Sequence, residues 1–279
     1  MTTTRRLRGA TVRRAVITCV VLVAGLGLAG CGSGSSSPAA STTAGGGSSA
    51  SASSQVTGDI TVLAAASLTE SFTTIAKQFE AAHPGTTVTL SFGASSALAT
   101  QVTSGAPADV FASASAKNMD AVVSAGAATD PKTFAQNVME IAVPPSNPGG
   151  VTGVESLAGS GVKTALCQEQ VPCGATAAKV FANAGVTVKP VTLEPDVKSV
   201  LSKVTLGEVD AGVVYVTDVR AAGDKVEGIP IPADVNASTS YPIAALGDAP
   251  NAATAKAFVD YVLSAEGAKV LTAAGFEQP

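Results

Sequence analysis

The sequence predicts an α/β protein folded as two lobes with a ligand cleft between them. Three observations lead there. Strand and helix patterns alternate from residue 58 onward, opening in the order β-α-β-α-β, which calls for a parallel sheet with helices on its faces. The alternation falls into two such blocks, and the last segments return the chain toward its start. Residues 58–279 are also ample to bury one large core or two.

The elements follow in order. "ITVLA" (residues 60–64) is a β-branched apolar run and reads as a strand. Leu68, Phe72, Ile75, Ala76 and Phe79 fall on one face of a helix spanning 68–83. "TVTLSF" (87–92) is a second strand, with a helix over 95–104, and "DVFASA" (109–114) a third, with a helix over 116–125. A second block opens near Val138 with "VMEIAVPP" and a loop rich in proline and glycine. It continues with strands at "KTALC" and "VTLE", helices over 174–184 and 196–206, and a buried strand, "AGVVYV", at 211–216. "YPIAAL" (241–246) starts the closing segment, with helices over 251–263 and 265–274. The boundaries expected from this are 58–137 plus 240–279 for lobe 1 and 138–239 for lobe 2.

The first 57 residues do not read as fold. Five arginines among the first 14 residues precede an apolar run, 15–29, that ends in "LAGC" at Cys31. The run is short for a membrane span and has the flanks of a signal peptide. The small residues before Cys31 resemble a bacterial lipobox, which implies a signal over 1–30 and lipid on Cys31. Arg13-Arg14 leaves both the general secretory and the twin-arginine export route open. Residues 31–57 continue as "GSGSSSPAASTTAGGGSSASASSQVT" after Cys31, with no charge and almost no large apolar group. Such a segment cannot bury enough surface to fold, and as a Gly/Ser tether it reaches roughly 25–30 Å. The expected location is therefore the outer face of the cell membrane, as a lipoprotein.

Charge and cysteines narrow the function. Five of the 17 lysines and arginines lie in the signal, leaving 12 against 21 acidic residues, a net charge of −9. That surface excludes nucleic acid as a partner, and an anion would have to be held by local dipoles. Beyond Cys19 and Cys31, Cys167 and Cys173 remain, six positions apart in "CQEQVPC". In an exported protein they read as a disulfide, and the spacing fits neither a zinc ribbon nor a C-x-x-C redox pair. The one histidine, His83, ends a helix beside Pro84 and Gly85, with no motif around it. Glu208 and Asp210 read as a solvated turn. No G-x-S-x-G, P-loop, G-x-G-x-x-G or H-E-x-x-H occurs, so neither a catalytic centre nor a cofactor or metal site is expected.

What recurs is a pattern at helix starts. Ser67 stands three residues before Glu70, the spacing of a capping box. Ser95 opens the second helix, Cys173-Gly174 follow Pro172 at another, "EPDV" precedes Val197, and Tyr215 ends a strand before a fifth. A helix start presents unpaired N–H groups and the positive end of the macrodipole. Five of them without a lysine or arginine describe a cleft able to hold an anion with neutral donors.

The stretches "ITVLAAASLTESF", "SFGASSALATQ", "GAPADVFASA", "EPDVKSVLSKV", "GVVYVTD" and "YPIAAL" resemble, in order and across 58–279, the molybdate-binding proteins of bacterial ABC importers. The resemblance implies the type II periplasmic-binding-protein fold, two α/β lobes closing on a tetrahedral oxyanion. It implies that Ser67, Ser95 and Tyr215 donate hydroxyl hydrogen bonds to the ligand, and that Cys173 and Val197 donate backbone N–H groups. Ala94 stands first in the family's serine run, which leaves Ser96 as the alternative to Ser95. Ser67 is thus expected both to cap its helix and to bind ligand. The function implied is a monomeric receptor, not an enzyme, that captures molybdate and also tungstate and delivers it to a membrane permease and ATPase. The alternatives are a receptor for sulfate or phosphate, an exported enzyme on the same scaffold, and an anchored interaction module with no small ligand.

Overall fold

The computed structural model describes residues 56–279. The signal expected over 1–30, the lipidation expected at Cys31 and the tether expected over 31–57 lie outside the described residues, apart from Val56 and Thr57. Thr57 is already fastened to the fold, its carbonyl accepting the Thr254 hydroxyl at 2.7 Å. Among the described residues no helix is long and apolar enough to cross a membrane.

The opening alternation folds as its pattern requires. Strand β1 (Gly58–Ala65) lies between β2 (Thr86–Gly93) and β3 (Val110–Ala112), parallel to both, with Val62 opposite Leu90 on one side and Val110 on the other. Helix α1 (Thr69–Ala82) buries Phe72, Ile75, Ala76 and Phe79, the face given by their spacing. Helices α2 (Ser95–Thr103) and α3 (Ala116–Ser124) follow β2 and β3.

The sheet is mixed rather than parallel throughout. Strand β4 (Lys132–Val143) is a single long strand that begins six residues before Val138. A register shift between Thr133 and Ala135 breaks the alternation of its first half, so no period-2 signal marks it. Helix α4 (Pro172–Ala184) follows β5 (Thr164–Cys167), and α5 (Val197–Thr205) follows β6 (Thr192–Glu194). Strand β7 (Ala211–Tyr215) runs straight into α6 (Val216–Ala222). Next come β8 (Glu227–Pro230), β9 (Ser238–Ala245), α7 (Ala252–Val262) and α8 (Ala265–Ala274). The strand order is β2-β1-β3-β9-β4-β7-β5-β6, with β8 paired to β4. Strand β9 is antiparallel to β3 and β4. Strand β8, "EGIP", carries a glycine and a proline, which hid it as a strand and suit it to an edge.

Strand β4 is the bridge between the two lobes. Up to Val138 it pairs with β9; from Met139 it pairs with β7 and β8. One apolar core is built from buried residues between Met139 and Ile231 together with Ala66, with Ala94, Val235 and Ala237 packed against it. The rest of the apolar interior draws on residues 60–135 and 241–276. Phe72 and Phe79 meet Phe258 edge to face there, binding α1 to α7. Cys167 and Cys173 are joined, with 5.8 Å between their Cα atoms, so the end of β5 is tied to the first turn of α4.

Candidate functional site

Strand ends set the site. In open α/β sheets ligands lie in the crevice outside the carboxyl ends of the strands. Here β1, β2, β5, β6 and β7 each end at or near a helix start. All five residues singled out from the sequence, Ser67, Ser95, Cys173, Val197 and Tyr215, line one cavity between the two cores. Ser95 lines it and Ser96 does not. The cavity measures ≈ 20 Å³. About 10–15 Å³ is the room one water needs on this scale, so the space suits one compact group and excludes a sugar or a peptide. Its remaining wall is mostly small or apolar, including Ala94, Ala114 and Val171, and no lysine or arginine lines it.

The donors are real and mostly uncommitted. No side chain caps α2 or α4, whose N-caps are Ala94 and Val171. The first N–H groups of these helices have no intrahelical acceptor, and the dipole adds positive potential at the same place. Helix α5 differs: Asp196 caps it, its carboxylate accepting from Ser199 N–H at 2.9 Å. The Ser95 hydroxyl oxygen accepts from Ala114 N–H at 2.9 Å, so its own proton is free to turn elsewhere. The Tyr215 hydroxyl is buried and has no hydrogen-bond partner. Neighbouring Thr176 gives its proton to Pro172 O at 2.8 Å. Burial above all, then the Tyr241 beside it, holds Tyr215 well above the usual phenol range, so it keeps a proton to give.

Ser67 corrects one expectation. It is not a helix cap: it sits within a 3-10 turn, Ala66–Leu68, and α1 starts at Thr69 with Leu68 as N-cap and no side-chain cap bond. The extra turn puts Ser67 one residue before the N-cap, the position from which a side chain reaches α1's free N–H groups. Its hydroxyl meets that of Tyr241 at 2.8 Å instead. Glu70, the other half of the expected capping box, turns outward. Both its oxygens hold Lys198 Nζ, at 2.8 and 2.9 Å.

That lysine joins the two cores. Glu70 lies on α1, while Lys198 is on α5 and contacts Asp218 on α6 at 3.1 Å. Asp218 is fully buried and also accepts Tyr215 N–H at 3.1 Å. Burial raises the Asp218 carboxyl, against the pull of Lys198. Burial would lower Lys198, but Asp218 and Glu70 outweigh it and hold the ammonium above its ordinary range.

Three residues at the site carry little or no sequence signal. Asp196 lines the cavity, and only its N-cap position before an apolar helix marks it. Tyr241 and Asn137 stand behind Ser67, one in a closing strand and the other in the bulged half of β4, where nothing in the local pattern distinguishes them. His83 packs its ring on Phe79 with centroids 4.5 Å apart, away from the cavity lining. Among the described residues no cluster of histidine, cysteine and acidic side chains is placed to hold a metal.

Residues 60–277 match the family described as bacterial extracellular solute-binding protein. The chain is 40% identical over 260 residues to the molybdate-binding protein ModA of Mycobacterium tuberculosis, covering 93% of this chain and 95% of that one. Its fold superposes on the periplasmic molybdate-binding protein of Azotobacter vinelandii with a TM-score of 0.70 at 23% identity, covering 79% and 99% of the two chains. It also superposes on the sulfate-binding protein SubI of Mycobacterium tuberculosis, with a TM-score of 0.69 at 18% identity over 79% and 86%.

Proposed function

The chain belongs to the family of bacterial extracellular solute-binding proteins, and from that premise we propose that it captures molybdate, and also tungstate, outside the cell and delivers it to the permease and ATPase of an ABC importer. The proteins it matches are named as binding proteins, not as enzymes. The observation that carries the anion reading is the Tyr215 hydroxyl, buried, protonated and unpartnered in a cavity where neutral donors converge. Leaving a buried donor unpaired costs about 1–3 kcal/mol, and a bound oxygen would remove that cost. In this reading Ser67, Ser95 and Tyr215 give hydroxyl protons and Cys173 and Val197 give N–H groups. The lobes that close on the ligand are 58–137 with 240–279, and 138–239. A monomer held to the membrane by lipid on Cys31, with residues 31–57 as a leash, would stand within reach of its permease.

Molybdate near neutral pH is a dianion without a proton, so it needs donors only, and the assigned residues are all donors. The fold alone does not choose the anion, because the sulfate-binding relative shares it. A receptor for sulfate or phosphate is therefore the second reading, and ligand-induced stabilisation separates the two. A ligand at about 1,000 times its dissociation constant stabilises the native state by about 4 kcal/mol. Molybdate and tungstate are expected to raise the melting temperature strongly, with sulfate and phosphate having little effect at equal concentration. Equal shifts for all four anions would remove the substrate assignment.

A further inference from the structure

We infer that Asn137 and Tyr241 act as positioning residues that keep the Ser67 hydroxyl proton available to the cavity, and thereby favour an anion carrying no proton. The inference rests on the oxyanion reading of the cavity and deepens it. Asn137, Tyr241 and Ser67 are buried in a row: Asn137 Nδ2 lies 3.4 Å from the Tyr241 hydroxyl oxygen, which lies 2.8 Å from Ser67 Oγ. The direction of the row follows from what each group has already committed. Asn137 Oδ1 accepts Val138 N–H at 3.1 Å, which places the amide nitrogen toward Tyr241 and toward Thr217 Oγ1, 2.9 Å away. An amide NH₂ only donates. Tyr241 oxygen is therefore a receiver on that side, and its single proton must find an acceptor elsewhere.

Ser67 Oγ is the acceptor at hand. The hydrogen bonds at the Tyr241 hydroxyl are those to Ser67 and Asn137, and its ring packs on the rings of Phe134, Tyr215 and Phe276, with centroids 5.1–6.3 Å away. If Ser67 donated to Tyr241 instead, the tyrosine proton would be left buried with no partner, the costly arrangement. So Tyr241 donates to Ser67, and the serine's own proton is not spent on Tyr241 but stays available to the cavity that Ser67 lines. A hydroxyl that is free to rotate could serve either a donor or an acceptor on a ligand. This one has already given an acceptor site to Tyr241 and keeps its proton, so it is biased towards an oxygen that bears none.

Isothermal titration of the full chain with molybdate and with phosphate tests this, phosphate being measured by displacement of molybdate. Three proteins are compared: the unaltered chain, Tyr241→Phe and Asn137→Asp. Removing the tyrosine proton frees Ser67 to rotate. A carboxylate at 137 would accept from Tyr241 and reverse the row. In each variant molybdate affinity is expected to fall about tenfold or more while phosphate loses less, so the molybdate-to-phosphate ratio drops. The added charge of Asn137→Asp repels both dianions, so the ratio, not either affinity alone, carries the result. In a Ser67→Ala background, Tyr241→Phe should leave the ratio unchanged. Equal losses for both anions, or a ratio change that persists without Ser67, would reduce Tyr241 and Asn137 to packing and overturn the inference. Failure of the unaltered chain to bind any oxyanion would instead overturn the anion reading itself, and the inference with it.

Discussion

At Tyr215 the protein holds a phenol proton out of water without a hydrogen-bond partner. This arrangement makes a prediction with opposite signs. Tyr215→Phe removes the donor proposed for the anion, which would be worth about 1.5–3 kcal/mol of affinity, yet it removes no hydrogen bond recorded within the protein. Titration should show at least a tenfold weaker molybdate complex, while thermal melting without ligand shows no loss of stability. A fall in both would mean that the hydroxyl has a structural partner. The two buried tyrosines also give a pH dependence. Burial raises the pKa of Tyr215 and of Tyr241, the latter against the hydrogen bonds from Ser67 and Asn137. A group whose folded pKa is raised binds its proton more tightly in the native state, so stability is retained below the ordinary value near 10 and falls as pH rises above it. Each tyrosine contributes a slope of about 1.4 kcal/mol per pH unit in that range. Alkaline melts should show it, with two fewer tyrosinates by absorbance in the native chain than in the unfolded one. Ser67, Ser95 and Tyr215 were legible because each ends a strand or opens a turn. Asn137 and Tyr241 were not, because a side chain that acts through another leaves no mark on local periodicity.

Helix α4 shows how an element is fixed by its first turn. Gly174, at its third position, lies so close to the end of β5 that an added Cβ would sit 2.0 Å from Gln168 O and 2.8 Å from Cys167 O. Only backbone fits there, and the Cys167–Cys173 bond closes the same corner. The loop is short, so its loss of unfolded-state entropy is modest, about 2 kcal/mol. Reduction is expected to lower stability by about that amount and to weaken oxyanion binding as well, since Cys173 N–H loses its placement. Gly174→Ala should do more damage than reduction, because backbone must move. Denaturant melts of the oxidised, reduced and substituted proteins rank the three, and an alanine variant as stable as the parent would refute the close-approach argument. The same corner shows where sequence reading worked and where it stopped. The pattern around Pro172 and the paired cysteines announced both the helix start and the bond. The first half of β4 stayed hidden because its bulge cancels the alternation, and β8 because glycine and proline interrupt it.

Across the whole molecule, the Glu70–Lys198–Asp218 bridge is a polar contact between the two cores. Lys198 sits at the second position of α5, where its charge opposes the helix dipole by about 0.3–1 kcal/mol. Two carboxylates on different elements hold it there, and they are not equivalent. Asp218 is fully buried, whereas the Glu70 side chain is 52% exposed. Removing the partner of a buried charge costs about 3–5 kcal/mol, while an exposed pair contributes about 0–1 kcal/mol. Lys198→Met is therefore expected to destabilise the protein severely, and adding Asp218→Asn should restore much of the loss because the stranded charge is gone. Glu70→Gln should leave stability within about 1 kcal/mol. Its effect belongs to closure: one lobe loses its hold on the other, and molybdate affinity should fall by up to about fivefold at low salt. That difference should shrink at high ionic strength, where exposed charges are screened. The raised Lys198 pKa has a matching sign, its contribution being complete below the ordinary lysine value near 10.5 and lost as pH climbs through the folded value. Titration of Glu70→Gln at two salt concentrations tests the latch. An affinity loss that does not depend on salt would show that Glu70 acts through packing, and no loss at all would show that the lobes close without it.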